Sequence, residues 1–154
     1  MRLRIIAVGR LKERHWREAA DEYLKRLGPY ARVEVVEVPD RDVTADEARA
    51  LEAEAADVLR AIPEGATVAV LEIGGRASSS EEFARWLEDL GTDGRPSVAF
   101  VIGGAAGLHP DVLARADVRL SLGALTLPHQ LARVVLLEQI YRAFRITRGE
   151  PYHR

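Results

Sequence analysis

The chain reads SVAFVIGGAAGLHP at residues 97–110 and RLSLGALTLPH at residues 119–129, and these two pieces decide the fold. Val98–Ile102 is a short apolar run rich in β-branched residues, which predicts a buried strand rather than a helix. The run ends at Gly103 and Gly104. Glycines at the carboxyl end of a buried strand let the backbone turn sharply and let a ligand approach main-chain groups.

A second feature is the absence of charge from Leu120–Ala132, if His129 is neutral, in a chain that is 30% charged. Such a segment suits an apolar, partly aromatic ligand held by backbone amides and carbonyls. Taken alone, the glycines fit an ordinary strand-to-helix turn equally well. The uncharged segment that follows them favours a ligand site. A further glycine pair, Gly74-Gly75, follows another predicted strand and would lie at the same edge of the sheet.

Known fingerprints are missing from the glycine cluster. The dinucleotide pattern G-x-G-x-x-G would need a glycine at Ile102, and no Gly-Lys-Ser/Thr follows as in a P-loop. Asp40 is therefore interpreted as a turn residue rather than a ribose-binding acid. His109, before Pro110, is predicted to be a helix-start residue, whereas His129 either caps the last helix or touches a ligand.

The length of 154 residues predicts one domain over residues 1–154. The chain has no cysteine, and its four histidines lie far apart, so we expect no metal site. No apolar run is long enough for a signal peptide or a membrane span, which predicts a cytoplasmic protein with no membrane partner.

The charges are unevenly distributed. Residues 1–32 carry nine Lys/Arg and four Asp/Glu (+5), residues 33–96 carry six and sixteen (−10), and residues 97–154 carry seven and four (+3). The two basic ends could together form a phosphate-binding face. The alternative is that solvated helix faces simply differ in charge.

Periodicity and turn residues predict ten alternating elements. The predicted strands are Leu3–Val8, Arg32–Val38, Ala66–Ile73, Val98–Ile102 and Val118–Leu122. The predicted helices are Glu13–Leu27, one from the capping box Thr44–Glu47 to about Ile62, one from the capping box Ser79–Glu82 to Leu90, one from Pro110 to about Ala116, and one from His129 to about Thr147. This alternation predicts an α/β fold, a parallel-rich sheet with helices on both faces.

The last predicted helix is apolar around most of its circumference, which indicates burial on more than one side. The second apolar side is either a subunit interface or the mark of a central helix in a monomer. Beyond it, arginines and planar rings dominate the end of the chain and suit RNA phosphates and unstacked bases: Arg142, Arg145, Arg148, Tyr152, His153 and Arg154. The alternative is a frayed, solvated tail.

Four segments together resemble one family over essentially the whole chain. They are LRIIAVGR (3–10), VIGGAAGL (101–108), LTLPHQLARVVLLEQIYRAFRI (125–146) and RGEPYHR (148–154). They closely resemble the bacterial 23S rRNA pseudouridine N3-methyltransferases, the ybeA-type branch of the SPOUT methyltransferase class. The resemblance implies a SPOUT-type α/β fold with a C-terminal trefoil knot, an exception to the rule against threaded chains.

The same resemblance implies a homodimer that binds S-adenosylmethionine and methylates a pseudouridine in the intersubunit-bridge hairpin loop of 23S rRNA, within the ribosome and without a metal. The cofactor would contact Leu71, Gly74, Gly103, Gly104, Leu122, Gly123, Ala124, Leu125, Thr126 and Leu127. Arg142, Arg145, Arg148, Tyr152, His153 and Arg154 would bind the substrate.

An uncharged cleft also suits the chemistry, because an anionic ring nitrogen and a cationic methyl donor neutralise each other in the transition state. His153 is the candidate for assisting proton loss, with Arg154 or Arg142 stabilising the anion. Some relatives have Pro-Glu where this chain has Ala105-Ala106, so no carboxylate base is available there. Alternative functions are a SPOUT methyltransferase acting on tRNA, or a non-catalytic dimeric protein that binds ribosomes.

Overall fold

A computed structural model describes residues 1–42 and 44–153. In chain order the elements are β1 (Arg2–Val8), α1 (Arg14–Leu27), β2 (Arg32–Val38), α2 (Glu47–Ala61), β3 (Thr67–Ala77), α3 (Ser80–Thr92), β4 (Ser97–Ile102), α4 (Pro110–Arg115), β5 (Val118–Ser121) and α5 (His129–Thr147). All ten predicted elements are therefore present, with the same type and order.

The five strands form one sheet in the order β2-β1-β4-β3-β5, and every adjacent pair is parallel. Ile5 on β1 lies between Val35 on β2 and Phe100 on β4. Parallel neighbours need crossover connections, which the helices supply. The predicted α/β fold with a parallel sheet is confirmed.

Helices cover both faces of the sheet. On one face, α1, α3 and α5 pack over a cluster that includes Leu3, Ile5 and Phe100. On the other face, α2 and α4 pack over Ile6 and Val101. The central strand β4 is buried on both sides, which explains its unbroken apolar sequence.

Helix α5 lies between α1 and α3 on the sheet. Its buried residues include Leu136, Leu137 and Ile140, so packing within the chain accounts for much of its apolar circumference. Leu131 and Val135 are only half-buried, and neither belongs to the two core clusters. The helix is thus central to the domain and still has an apolar outer side.

Strand β3 does not end at Gly74-Gly75, so that prediction is wrong. The strand bulges after Leu71 and pairs with β5 again at Arg76, because both Leu71 and Arg76 are opposite Leu120. Gly75 crosses so close to β5 that an added Cβ would lie 2.8 Å from the carbonyl of Arg119. Only glycine permits this approach, and the glycine pair therefore marks a bulge rather than a strand end.

The capping box predicted at Thr44 is also wrong, because the cap of α2 is Asp46, whose carboxylate accepts from the Arg49 amide. The Thr44 hydroxyl instead donates to Asp42 at 2.6 Å. An Asp two positions before the Thr satisfies the hydroxyl in a local turn, and the next Asp takes the cap. The second box, at Ser79, is confirmed, with both reciprocal bonds formed. Its helix continues to Thr92, two residues beyond the predicted end.

One buried cation on α5 was not predicted. The Arg133 side chain is 4% exposed, donates to Glu37 at 2.7 Å and to the Gly9 carbonyl at 3.0 Å, and so joins α5 to β2 and to the end of β1. The carboxylate partner is 33% exposed.

Arg133→Met is expected to lower the free energy of unfolding by about 2–3 kcal/mol. This is less than the roughly 3–5 kcal/mol typical of a fully buried pair, because Glu37, left without its partner, is still in contact with water. Urea denaturation measures this loss. Arg14→Met, which breaks an exposed pair with Glu18, is the control and should change stability by less than about 0.5 kcal/mol. Equal effects of the two variants would contradict the structural role of Arg133.

Candidate active site

A cleft of about 420 Å³ lies at the carboxyl edge of the sheet, at the ends of β4 and β5 and beside the start of the β3 bulge. This is the edge where open parallel sheets bind ligands. Its wall includes Leu71, Glu72, Ile73, Gly103, Gly104, Gly107, Leu108, Leu122, Gly123, Leu125, Thr126, Leu127, His129 and Ala132. The two segments that decided the fold therefore meet on one cleft.

The glycine loop after β4 is closed on itself. Gly104 and Gly107 form an isolated antiparallel bridge, and Gly107 has a φ of +81°. A Cβ on Gly103 would lie 2.8 Å from the Gly107 carbonyl oxygen and 3.1 Å from a Leu108 methyl. The loop packs too tightly for a side chain at Gly103, so the cleft wall there consists of main-chain atoms.

Eight of the ten predicted cofactor contacts lie on this cleft wall: Leu71, Gly103, Gly104, Leu122, Gly123, Leu125, Thr126 and Leu127. Gly74 and Ala124 lie outside it. Gly74 is part of the β3 bulge, with no atom within 4 Å of an added Cβ.

His129 lines the cleft as the first residue of α5. The residue at the N-cap is Pro128, so the capping alternative is not the one adopted. His109, by contrast, is the N-cap of α4 and its Nδ1 accepts from the Asp111 amide at 3.0 Å, as predicted for a helix-start residue.

Apolar side chains are exposed around the cleft. Leu125 is 81% exposed, Ile73 60% and Leu122 37%, and all three are on its wall. Large apolar groups exposed together mark a binding surface. The wall has one carboxylate among the described residues, Glu72, which lies 3.7 Å from the Arg119 guanidinium.

A second pocket of about 270 Å³ adjoins the cleft, and we call it the side pocket. The two share Leu71, Leu120, Leu122 and Gly123 as a common wall. The rest of the side pocket is lined by Arg76, Ala77, Ser78, Ser79, Ser80, Phe83, Ser121, Val135, Leu136 and Gln139. It is therefore more polar than the cleft and lies between α3 and α5.

The end of the chain is docked, so the frayed-tail alternative is wrong for the described residues. The Tyr152 hydroxyl donates to Glu138 at 3.0 Å, and its ring meets Tyr141 edge-on at 4.9 Å between centroids. The Arg142 guanidinium lies 4.7 Å from the same ring. Burial, followed by the hydrogen bond to Glu138, raises the pKa of Tyr152 to about 12, so the phenol stays protonated.

His153 bridges two helices. Its Nε2 lies 2.7 Å from Glu81 on α3, and its Nδ1 lies 3.2 Å from Arg142 on α5. A guanidinium can only donate, so Nδ1 must accept and Nε2 must carry the proton that reaches Glu81. This hydrogen bond from His153 holds the pKa of the Glu81 carboxyl below its usual range. The lone pair of His153 is thus already used by Arg142.

The remaining predicted substrate arginines are also engaged within the chain. Arg145 lies 2.8 Å from Glu150 and donates to the Tyr30 hydroxyl at 3.1 Å. The Arg148 guanidinium lies 4.6 Å from the centroid of the Tyr30 ring. Arg154 lies outside the described residues.

The docked tail and the cleft occupy opposite ends of α5. Arg142 follows Ala132, the last cleft residue on this helix, by ten positions, or about 15 Å at the rise of an α-helix. The side pocket, through Gln139, lies between them.

Within residues 1–42 and 44–153, no three His, Cys, Asp or Glu side chains come together as metal ligands. No helix in these residues combines the length and the apolar character that crossing a bilayer requires.

A parallel α/β sheet with a glycine-walled, apolar cleft at its carboxyl edge defines a class of small-molecule-binding α/β enzymes. A family model described as "Predicted SPOUT methyltransferase" matches residues 1–153, and the chain belongs to this family. The resemblance noted in the sequence is thereby confirmed at the level of the family.

Curated relatives match over their full length. The chain is 51% identical to a protein from Listeria monocytogenes serotype 4a, 48% to one from Symbiobacterium thermophilum and 45% to one from Clostridium beijerinckii, with 100% of each chain covered. All three are named "Ribosomal RNA large subunit methyltransferase H".

Solved structures agree in fold. A probable methyltransferase from Bordetella pertussis superposes with a TM-score of 0.58 at 22% identity, covering 92% of this chain and 95% of that one. A putative methylase family protein from Neisseria gonorrhoeae gives 0.51 at 17% identity, covering 90% and 81%. The trefoil knot stays a prediction.

Proposed function

We propose that this chain, acting as a single domain over residues 1–154, methylates the ring N3 of a pseudouridine in the intersubunit-bridge hairpin loop of 23S rRNA. The observation that carries the proposal is the full-length likeness to relatives named as large-subunit ribosomal RNA methyltransferases. The protein would work in the cytoplasm on ribosomal particles.

The cleft suits S-adenosylmethionine, which supplies an electrophilic methyl on a sulfonium. Gly103 and Gly104 carry no side chain and line the cleft, so their main-chain groups can face the ligand. Leu122 and Leu125 would lose exposed apolar area on cofactor binding. The predicted contacts at Gly74 and Ala124 would need the β3 bulge and residues 122–127 to move toward the ligand.

The residues of this chain would then have three tasks. The cleft wall fixes the methyl donor and excludes water, which strengthens the attraction between an anionic ring nitrogen and a cationic donor. Arg142, with Arg154, stabilises the ring anion. His153 assists proton loss once its Nδ1 is released from Arg142, because that lone pair is its only basic site.

The homodimer remains part of the proposal. Its support is the outer side of α5, where Leu131 is half-buried outside the core clusters, together with the exposed leucines beside the cleft. Sedimentation equilibrium should give twice the mass of the chain, and a monomer at micromolar concentration would contradict it.

The decisive experiment is methyl transfer from labelled S-adenosylmethionine to ribosomal particles that lack the modification, followed by mass mapping of the methylated nucleotide. We expect one methyl per particle on a large-subunit pseudouridine, and none on tRNA. Label on tRNA alone would favour the alternative SPOUT enzyme. Ribosome binding without cofactor binding in calorimetry would favour a non-catalytic protein.

A further inference from the structure

A ring of hydrogen bonds begins and ends on the first turn of α3, and two of its members, Ser80 and Gln139, line the side pocket. Ser80 donates to the Gln139 side-chain oxygen at 2.7 Å, and the Gln139 amide nitrogen donates to Glu138 at 2.7 Å. Glu138 also accepts from Arg142 at 3.0 Å. The ring closes through His153, which contacts Arg142 and Glu81, the residue after Ser80.

The orientation of Gln139 follows from its neighbours. An ionised Glu138 can only accept, so the amide nitrogen must face it and the amide oxygen must face Ser80. The amide nitrogen has two N–H bonds, and the contacts of the described residues use one of them. Gln139 therefore retains one donor on the wall of the side pocket.

We propose that the side pocket is the subsite for the target nucleobase, and that Gln139 recognises a carbonyl of that base. This inference rests on the proposed function. The target nucleobase would then lie beside the methyl donor and not at the tail, because the side pocket shares four wall residues with the cleft.

The chemistry of the pocket fits a uracil-type ring. Such a ring presents two carbonyl acceptors that flank one imide nitrogen, and Gln139 offers a donor for one carbonyl. Ser80 gives its proton to Gln139 and keeps oxygen lone pairs for a ring N–H. Phe83 provides apolar surface for a ring face, and the exposed Arg76 at the wall suits a phosphate.

The hydrogen-bond ring also explains how the tail would act. Tyr152 and Arg142 both hold Glu138, and Glu138 holds Gln139. The tail thus fixes the donor that would read the base, which makes Tyr152 a positioning residue. A base held by Gln139 would be connected to His153 through Glu138 and Arg142.

The test compares Gln139→Leu with Gln130→Leu. Gln130 is on the same helix, and it lines neither the cleft nor the side pocket. We expect Gln139→Leu to lower kcat/KM for undermethylated ribosomal particles about 100-fold, because both the base carbonyl and the Ser80 hydroxyl would be left without a partner. Its Kd for S-adenosylmethionine, measured by calorimetry, should stay within about twofold of wild type, because cofactor and base occupy different pockets. Gln130→Leu should retain wild-type kinetics.

Ser80→Ala is the second variant, in case Gln139→Leu fails to fold. It removes one hydroxyl and should lower kcat/KM about tenfold with unchanged cofactor affinity, the loss typical of one hydrogen bond. Wild-type kinetics in the Ser80 variant, or cofactor affinity lost together with activity in either variant, would overturn the subsite. If wild-type protein methylates no rRNA, the proposed function fails instead, so the two failures are distinguishable.

Discussion

Gly103→Ala is expected to lower the affinity for S-adenosylmethionine about 100-fold or more and to abolish methyl transfer under ordinary assay conditions. The added Cβ would lie 2.8 Å from the Gly107 carbonyl oxygen and 3.0 Å from its carbon, so the obstruction is backbone rather than a flexible side chain. Relief requires the loop to open, and opening displaces the main-chain groups that form the cleft wall. Calorimetric titration with S-adenosylmethionine measures the effect directly.

Gly91→Ala is the matched control for this substitution. Gly91 lies in α3, and its added Cβ would meet only the end of the Met1 side chain, at 3.4 Å. Alanine in a helix is favoured over glycine by up to about 1 kcal/mol, so this variant should bind cofactor normally and unfold at slightly higher temperature. Normal cofactor binding by Gly103→Ala would mean that the glycine loop is not the cofactor site.

Sequence periodicity was sufficient for the fold because each element has one strong local signal. Val98–Ile102 is apolar on both faces and became the central strand β4. The predictions that were wrong concern local patterns that are compatible with two different structures. Gly74-Gly75 can end a strand or permit a close crossing, and only the position of Arg119 on β5 decides between them.

The cleft was also predictable, since its two main segments are nearly consecutive and each lacks charge. The side pocket was not, because Ser80 and Gln139 are 59 positions apart and nothing in their spacing connects them. Arg133 could have been noticed, as a single cation on an otherwise apolar part of α5. A lone charge inside an apolar stripe needs a buried partner, although the sequence does not say that Glu37 is that partner.

Deletion of residues 152–154 is expected to lower kcat/KM for ribosomal particles at least about 100-fold while leaving cofactor affinity within about threefold of wild type. The deletion removes Tyr152 and His153, which hold Glu138 and Arg142, so Gln139 and Arg142 lose their fixed orientation. The cleft keeps its wall, because none of these residues lines it. Single-turnover methylation and calorimetry separate the two effects.

Tyr152→Phe keeps the ring against Tyr141 and removes only the hydrogen bond to Glu138. Since that bond positions a charged group, its loss should lower kcat/KM by about tenfold, with protein stability changed by about 1 kcal/mol. If the tail only added affinity for RNA, Tyr152→Phe would instead raise KM for the ribosomal particles and leave kcat unchanged. A large loss of cofactor binding in the deletion variant would show that the tail shapes the cleft itself, because a positioning role at the side pocket predicts no such change.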